Sequence, residues 1–255
     1  MNRISFCMIT KNEEERLAQA LQSVADVADE VIVVDCGSTD RTQDVARANG
    51  AKVFYRAWTN FGDQRNYASE QAANDWIFAL DADEALSDKL REALLAWKQH
   101  EPRFEVYEVP RLAHYLDGWI RHSGWYPDHQ SRLYKKNAAH YKGIVHESLM
   151  FRGQRGKLSG DLLHYTIDTF PEHEQKVEEY STLAAQKMFA QGRRSWRAAL
   201  WFATPWTFFQ SFVLRAGFLD GHRGALIAQM AARSVRLKFR RLGALVAKEQ
   251  ASRSQ

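Results

Sequence analysis

Four short apolar runs in the first half of the chain each give way to a segment with helical spacing. Residues 4–9 are followed by 13–24, where Leu17, Ala18, Leu21 and Val24 recur at the interval of one helix face. Residues 31–34 precede 40–49, with Asp40 placed to cap a helix and Gly50 to stop it. Residues 52–56 precede 63–73, and 76–80 precede 87–97, which opens on the capping residue Ser87. The runs are β-branched or aromatic and almost continuously apolar, as strands are when helices cover both faces of a sheet. Repeated units of this kind predict an α/β fold: an open, Rossmann-like, mostly parallel central sheet with helices on both faces.

Beyond about residue 103 the pattern changes. Residues 105–110, 131–136 and 161–166 alternate apolar and polar, which predicts strands of a mixed or antiparallel extension. Residues 171–191 read as one helix with acidic residues early in its course, and 196–245 as helical with a different composition.

Ligands of open α/β sheets bind beyond the carboxyl ends of the strands. The four runs end there on Thr10-Lys11-Asn12-Glu13, Asp35-Cys36-Gly37-Ser38-Thr39-Asp40, the neighbourhood of Gly62-Asp63-Gln64-Arg65-Asn66, and Asp81-Ala82-Asp83-Glu84. Two carboxylates at i and i+2 closing a buried strand repel each other. Asp81 and Asp83 are therefore candidates for an oxygen-rich Mg²⁺ or Mn²⁺ site. The plainer reading is that Asp-Ala-Asp caps the helix beginning near Ser87. No glycine-rich dinucleotide fingerprint, phosphate-binding P-loop or serine nucleophile elbow occurs, which argues against a dehydrogenase, a P-loop NTPase and an α/β-hydrolase. A nucleotide-sugar, its phosphates neutralised by a metal, fits what remains.

Composition sharpens this picture at three points. With 45% hydrophobic and 26% charged residues the chain of 255 is not disordered, and its two cysteines, both in apolar runs, predict buried reduced thiols. Met1-Asn2-Arg3-Ile4 leads directly into a strand, without the apolar region of a signal peptide, so a cytoplasmic location is expected. The net charge of +4 is unevenly spread: residues 1–192 carry −6 and 193–255 carry +10. An acidic body, 1–192, and a basic extension, 193–255, are thus the expected domains, the extension facing phosphate.

Ile9-Thr10-Lys11-Asn12-Glu13-Glu14, Val33-Val34-Asp35-Cys36-Gly37-Ser38-Thr39-Asp40-Arg41-Thr42 and Asp81-Ala82-Asp83, in this order, resemble the family-2 inverting glycosyltransferases of GT-A fold. Gly124-Trp125-Tyr126-Pro127-Asp128, Gln130-Ser131-Arg132-Leu133-Tyr134, Val145-His146-Glu147 and Gly217-Phe218-Leu219-Asp220-Gly221 extend the resemblance over essentially the whole chain. They point to the branch holding the lipopolysaccharide inner-core β-1,4-glucosyltransferases. The resemblance implies a UDP-sugar donor, UDP-glucose by this branch, a Mg²⁺ or Mn²⁺ cofactor and a lipid-linked oligosaccharide acceptor. It implies that Asp35 accepts from base or ribose, with Thr10 and Asn12 lining the same pocket and Arg65 reaching nucleotide or diphosphate. Asp83 ligates the metal, and Asp81 reaches ribose or a metal-bound water. The base that deprotonates the acceptor falls on Asp128, where Pro127 replaces the family's usual Glu; Asp117 and Glu147 are the rivals. His146 is either a further metal ligand or a structural histidine. Transfer to a polyprenyl phosphate or another envelope glycan is the enzymatic alternative, and a non-catalytic nucleotide-sugar-binding protein the alternative of another class.

Residues 198–214 form an uncharged, aromatic-rich stretch of 17 between Arg197 and Arg215, interrupted by Pro205 and Gln210. A spanning helix needs about 20 apolar residues, so the stretch suits a helix lying in a membrane interface. With Arg233, Arg236, Lys238, Arg240 and Arg241 after it, the extension is expected to meet an anionic membrane on the cytoplasmic face of a bacterial inner membrane. The alternative is that these aromatics pack on the catalytic core or between subunits. No nucleic-acid-binding module is recognised, and nucleic acid is not an expected partner.

Overall fold

The structure is a computed structural model that describes residues 1–143 and 147–253. In chain order the elements are β1 (Ile4–Thr10), α1 (Leu17–Val24), β2 (Glu30–Asp35), α2 (Thr42–Ala48), β3 (Lys52–Tyr55), α3 (Phe61–Gln71), β4 (Trp76–Ala79), β5 (Glu84–Leu86), α4 (Asp88–Lys98) and β6 (Val106–Tyr115). They continue with β7 (Gly118–Ile120), β8 (Asp128–Lys135), β9 (Ala139–Lys142), β10 (Ser148–Phe151), β11 (Arg155–Lys157), β12 (Leu162–Ile167), α5 (Phe170–Ala190) and α6 (Arg197–Phe209). A π-helical turn (Gln210–Leu214) and a 3₁₀ turn (Gly217–Asp220) lead into α7 (Gly221–Arg253).

The main sheet has the order β3-β2-β1-β4-β8-β6-β12-β5, with β7 and β11 added on β6. Its first four strands are parallel, but β8 runs antiparallel to β4 and to β6, and β12 antiparallel to β5. The sheet is therefore mixed and not mostly parallel. The alternating strands after residue 103 do not form a separate extension; three of them are inserted into the sheet itself. The near-continuous apolar runs follow from burial on both faces. Ile4, Phe6, Met8, Val33 and Phe78 join α1 and α4 in one core cluster, while Cys7, Ile32, Val34, Ile77 and Ala79 join α3 in another. Ser87 caps α4 through Leu90 N, so this role does not fall to the Asp-Ala-Asp segment. Both cysteines are buried and free.

The chain divides into two compact units. One is Met1–Leu112 with Asp128–His164, and the other Ala113–Pro127 with Tyr165–Gln255. The charge pattern had placed the break after residue 192. Charge marks surface, whereas packing sets the division: Ala185 of α5 shares an apolar cluster with Phe239, Leu242 and Val246 of α7. Segment 113–127 joins the same unit because Asp220 accepts from the backbone amides of Arg121 (3.1 Å) and His122 (3.0 Å). Here the chain passes so close to itself that a Cβ on Gly224 would lie 1.8 Å from Gly217 O, and one on Gly243 2.8 Å from the Trp196 ring. Among the described residues no helix is long and apolar enough to cross a membrane.

Candidate active site

The loops after β1 and β2 are laced together. Asn12 has a positive φ of 55°, and its side-chain oxygen accepts from Thr39 N at 2.9 Å, while its own amide donates to Ser38 Oγ at 2.9 Å. Glu13 N donates to Thr42 Oγ1 at 2.8 Å. Asp35, fully buried, accepts from the amides of Gly37 and Ser38 (both 3.0 Å), from Gln43 Nε2 (2.7 Å) and from Ser38 Oγ. Burial alone would push its carboxyl up, but these hydrogen bonds outweigh burial and leave it below its ordinary value. Asp35 and Asn12 thus build the loop pair, and Thr10, 3.5 Å from Asp35, together with Cys36 presents it to a cavity.

That cavity, about 530 Å³, is walled by Thr10, Glu13, Arg65, Asp81, Asp83 and Glu147, with His164 and the aromatic pair Trp58 and Phe61 at its side. The two aspartates closing β4 have different surroundings. Asp81 is clamped between Arg65 Nη2 (2.6 Å) and Arg132 Nη2 (2.9 Å). Burial opposes its ionisation, yet the two guanidiniums hold its carboxyl well below the usual carboxylate range. The cation that relieves its burial is therefore a pair of arginines, which removes the electrostatic reason for assigning Asp81 to a metal. Asp83 has no arginine partner among the described residues; its Oδ2 lies 3.2 Å from His164 Nε2, on β12.

From Asp81 a chain of ion pairs runs both ways. Arg132 also binds Glu84 at 2.5 Å, Arg111 lies 3.6 Å from Glu84, and Arg111 in turn holds Asp128 Oδ2 through Nη2 (2.6 Å) and Nε (2.9 Å). On the other side Arg65 reaches Glu147 at 3.4 Å. Glu84 is fully buried, and burial there outweighs Arg132 and pushes its carboxyl up. Asp128 is half-exposed, and its Oδ1 accepts only from Gln130 Nε2, at 2.8 Å, among the described residues.

The donor set fits a hard divalent cation at Asp83. Imidazole nitrogen and carboxylate oxygen converge there, and Glu13 nearby has its carboxyl pushed up by burial and by Asp83. Within the described residues no third histidine, cysteine or acidic side chain completes a metal cluster.

Of the residues expected from sequence, Thr10, Arg65, Asp81 and Asp83 line one cavity, and Asp35 and Asn12 support its wall. Asp128 is tied to the same ion-pair chain. Asp117 is elsewhere, exposed and paired with Arg223 at 2.9 Å in the other unit. His146 lies outside the described residues. Sequence reasoning named Glu84 and Arg132 within motif strings but gave them no role, and missed Arg111 and His164. For His164 a signal existed, since it stands in an alternating strand expected at 161–166; Arg111 left none.

The chain matches the model of glycosyl transferase family 2 over residues 5–155. It is 32% identical over 237 residues to an uncharacterized glycosyltransferase of Rickettsia typhi, covering 88% of this chain and 81% of that one. A Rickettsia felis glycosyltransferase is 32% identical over 270 residues, with 100% and 95% covered. The lipopolysaccharide core biosynthesis glycosyltransferase LpsC of Rhizobium meliloti is 28% identical over 252 residues, 91% of each chain. The protein belongs to glycosyltransferase family 2, and its mixed sheet with flanking helices is GT-A-like, the architecture the sequence resemblance implies.

Proposed function

We propose that the protein is a metal-dependent, inverting hexosyltransferase that moves glucose from UDP-glucose to a lipopolysaccharide core or a related lipid-linked glycan. The observation that carries this reading is the cavity beyond β1, β2 and β4, where Asp83 meets His164 while Asp81 is neutralised by arginines. Asp83 and His164 would hold the Mg²⁺ or Mn²⁺, which when bound offsets charge on the diphosphate leaving group. Thr10 and the loops built by Asn12 and Asp35 take the nucleotide, and Arg65 stands on the diphosphate side. Arg111 fixes Asp128 by Oδ2 and Gln130 steadies Oδ1, whose second lone pair accepts the proton of the acceptor hydroxyl. The hydroxyl oxygen bonds to the anomeric carbon from one face as the diphosphate departs from the other.

The acceptor class is supported by the relative named for lipopolysaccharide core biosynthesis. A membrane-surface location, on the cytoplasmic face of a bacterial inner membrane, is supported by α6. No residue of that helix is fully buried, and Trp201 and Phe202 are exposed by 79% and 76%.

Two substitutions test the reading. In a thermal-shift panel of nucleotide-sugars, UDP-glucose should stabilise the protein more with Mn²⁺ than with EDTA, and Asp83→Ala should abolish that difference. Equal UDP binding in EDTA and Mn²⁺ sinks the metal assignment. Asp128→Asn should leave donor affinity within a few-fold while transfer falls roughly 10²–10⁴-fold, the range for a general base. Near-normal transfer by Asp128→Asn, with loss in Glu147→Gln, would move the base to Glu147.

A further inference from the structure

Two basic rows run along α7 and meet different partners. Arg233 pairs with Glu174 and Glu178 of α5, and Arg241 with Glu178. Arg236 and Arg240, one turn apart, make no hydrogen bond or ion pair among the described residues. They line a cavity of about 780 Å³ between α6 and α7, whose apolar wall includes Trp196, Leu200, Trp201 and Pro205. In that wall Thr204 Oγ1 is buried with no hydrogen-bond partner in the described structure. A volume of this size falls within the range of about 300–1,000 Å³ typical of small-ligand sites. Its chemistry is divided: tryptophan and aliphatic surface, two guanidiniums without a partner among the described residues, and one unsatisfied hydroxyl.

We propose that this groove binds a single phosphate-headed lipid, the chain against Trp196 and Trp201 and the phosphate on Arg236 and Arg240. Guanidinium suits phosphate because its planar fork donates two parallel hydrogen bonds, and two of them at i and i+4 converge on one anion. A water-soluble anion leaves the apolar wall unused, and a neutral lipid leaves both cations unpaired. Only an amphiphile with an anionic head satisfies every part of the lining. This inference rests on the membrane-surface reading above and narrows it from a face of the molecule to one groove.

The test uses the full chain and dihexanoyl phosphatidic acid below its micelle concentration, so that no surface is present. Calorimetric titration should give saturable one-to-one binding, none with inorganic phosphate, and weaker binding with dihexanoyl phosphatidylcholine. Arg236→Gln/Arg240→Gln should weaken phosphatidic acid roughly 30-fold, taking each basic residue at its usual worth beside anionic lipid. Arg233→Gln/Arg241→Gln, which removes equal charge from the α5 side, should change it by less than roughly three-fold, since those cations are already paired. Ala244→Phe, filling the groove, should abolish binding. Melting curves of each variant separate loss of binding from loss of fold. The proposal is overturned if affinity survives both Arg236→Gln/Arg240→Gln and Ala244→Phe, or if inorganic phosphate binds equally well. Vesicle binding without any soluble-lipid binding would leave the membrane reading standing and this one refuted.

Discussion

Asp81 in the first unit and Asp220 in the second are acids held in opposite ways. Asp81 is neutralised by the side chains of Arg65 and Arg132, which come from α3 and β8. Asp220 is held in part by main chain, accepting from two successive amides, with His122 Nδ1 at 3.0 Å and Ser123 Oγ at 3.4 Å as side-chain partners. Guanidiniums can exchange one anion for another without moving the backbone, whereas amides cannot be released without opening the segment that carries them. A site that is to admit an anionic ligand, as the proposed function requires, suits the first arrangement, and a corner that must keep segment 113–127 in place suits the second.

The comparison is broken most severely at Arg132. Replacing it with Met leaves the buried Glu84 with only the more distant Arg111, at 3.6 Å, and Asp81 with one cation, and removing one partner of a buried pair costs about 3–5 kcal/mol. Urea unfolding should show that loss, and Glu84→Gln added to Arg132→Met should recover part of it. A loss below about 1 kcal/mol, the level of exposed ion pairs, would mean the network is solvated.

Asp220→Ala comes next. The exposed Arg121 amide and the half-buried His122 amide lose their acceptor, at about 1 kcal/mol, the net worth of ordinary hydrogen bonds. One amide bonds Oδ1 and the other Oδ2, so Asp220→Asn, with a single acceptor oxygen, should recover only part of the loss, and Asn at position 81 should fare worse because each oxygen of Asp81 faces a guanidinium. Equal damage from Ala and Asn at 220 would make that corner electrostatic as well.

The smallest effect is a pH dependence. His173 Nδ1 is 2.8 Å from the Tyr115 hydroxyl, and burial, aided by Lys176, holds its pKa below the ordinary value while burial pushes Tyr115 up to about 12. The unfolded chain takes up a proton near pH 6.5, where the folded one stays neutral, so stability is full above that pH and declines as pH falls below it. Thermal unfolding between pH 7.5 and 5 should show the decline, and His173→Gln should flatten it.

How far the molecule was legible in the sequence follows the range of its interactions. The parallel strands and the cap at Ser87 are local, and each is found; at α2 the capping position falls on Arg41, one residue after Asp40, whose carboxylate accepts from Thr42 N at 3.0 Å. Helix α1 starts at Leu17 and not at 13, because residues 10–16 are spent on the loop that Asn12 fastens to Thr39. The insertion of β8 beside β4 was not legible, since alternation tells which face a strand buries but not its neighbour. Nor were the partners of Asp81 and Asp83, which lie 16, 51 and 81 residues away. No local periodicity encodes an ion pair across such distances.

A final consequence concerns any attempt to make this protein sturdier by design. Replacing helix glycines with alanine is a standard route to stability, resting on about 1 kcal/mol of helix propensity per site. Gly224 and Gly243 of α7 would head such a list, and both would be errors. A methyl at 224 meets the carbonyl oxygen of Gly217 at 1.8 Å, and one at 243 meets the Trp196 ring at 2.8 Å. At these two positions hydrogen is the only substituent that fits, and an optimiser scoring helices one residue at a time would dismantle the crossing it set out to reinforce.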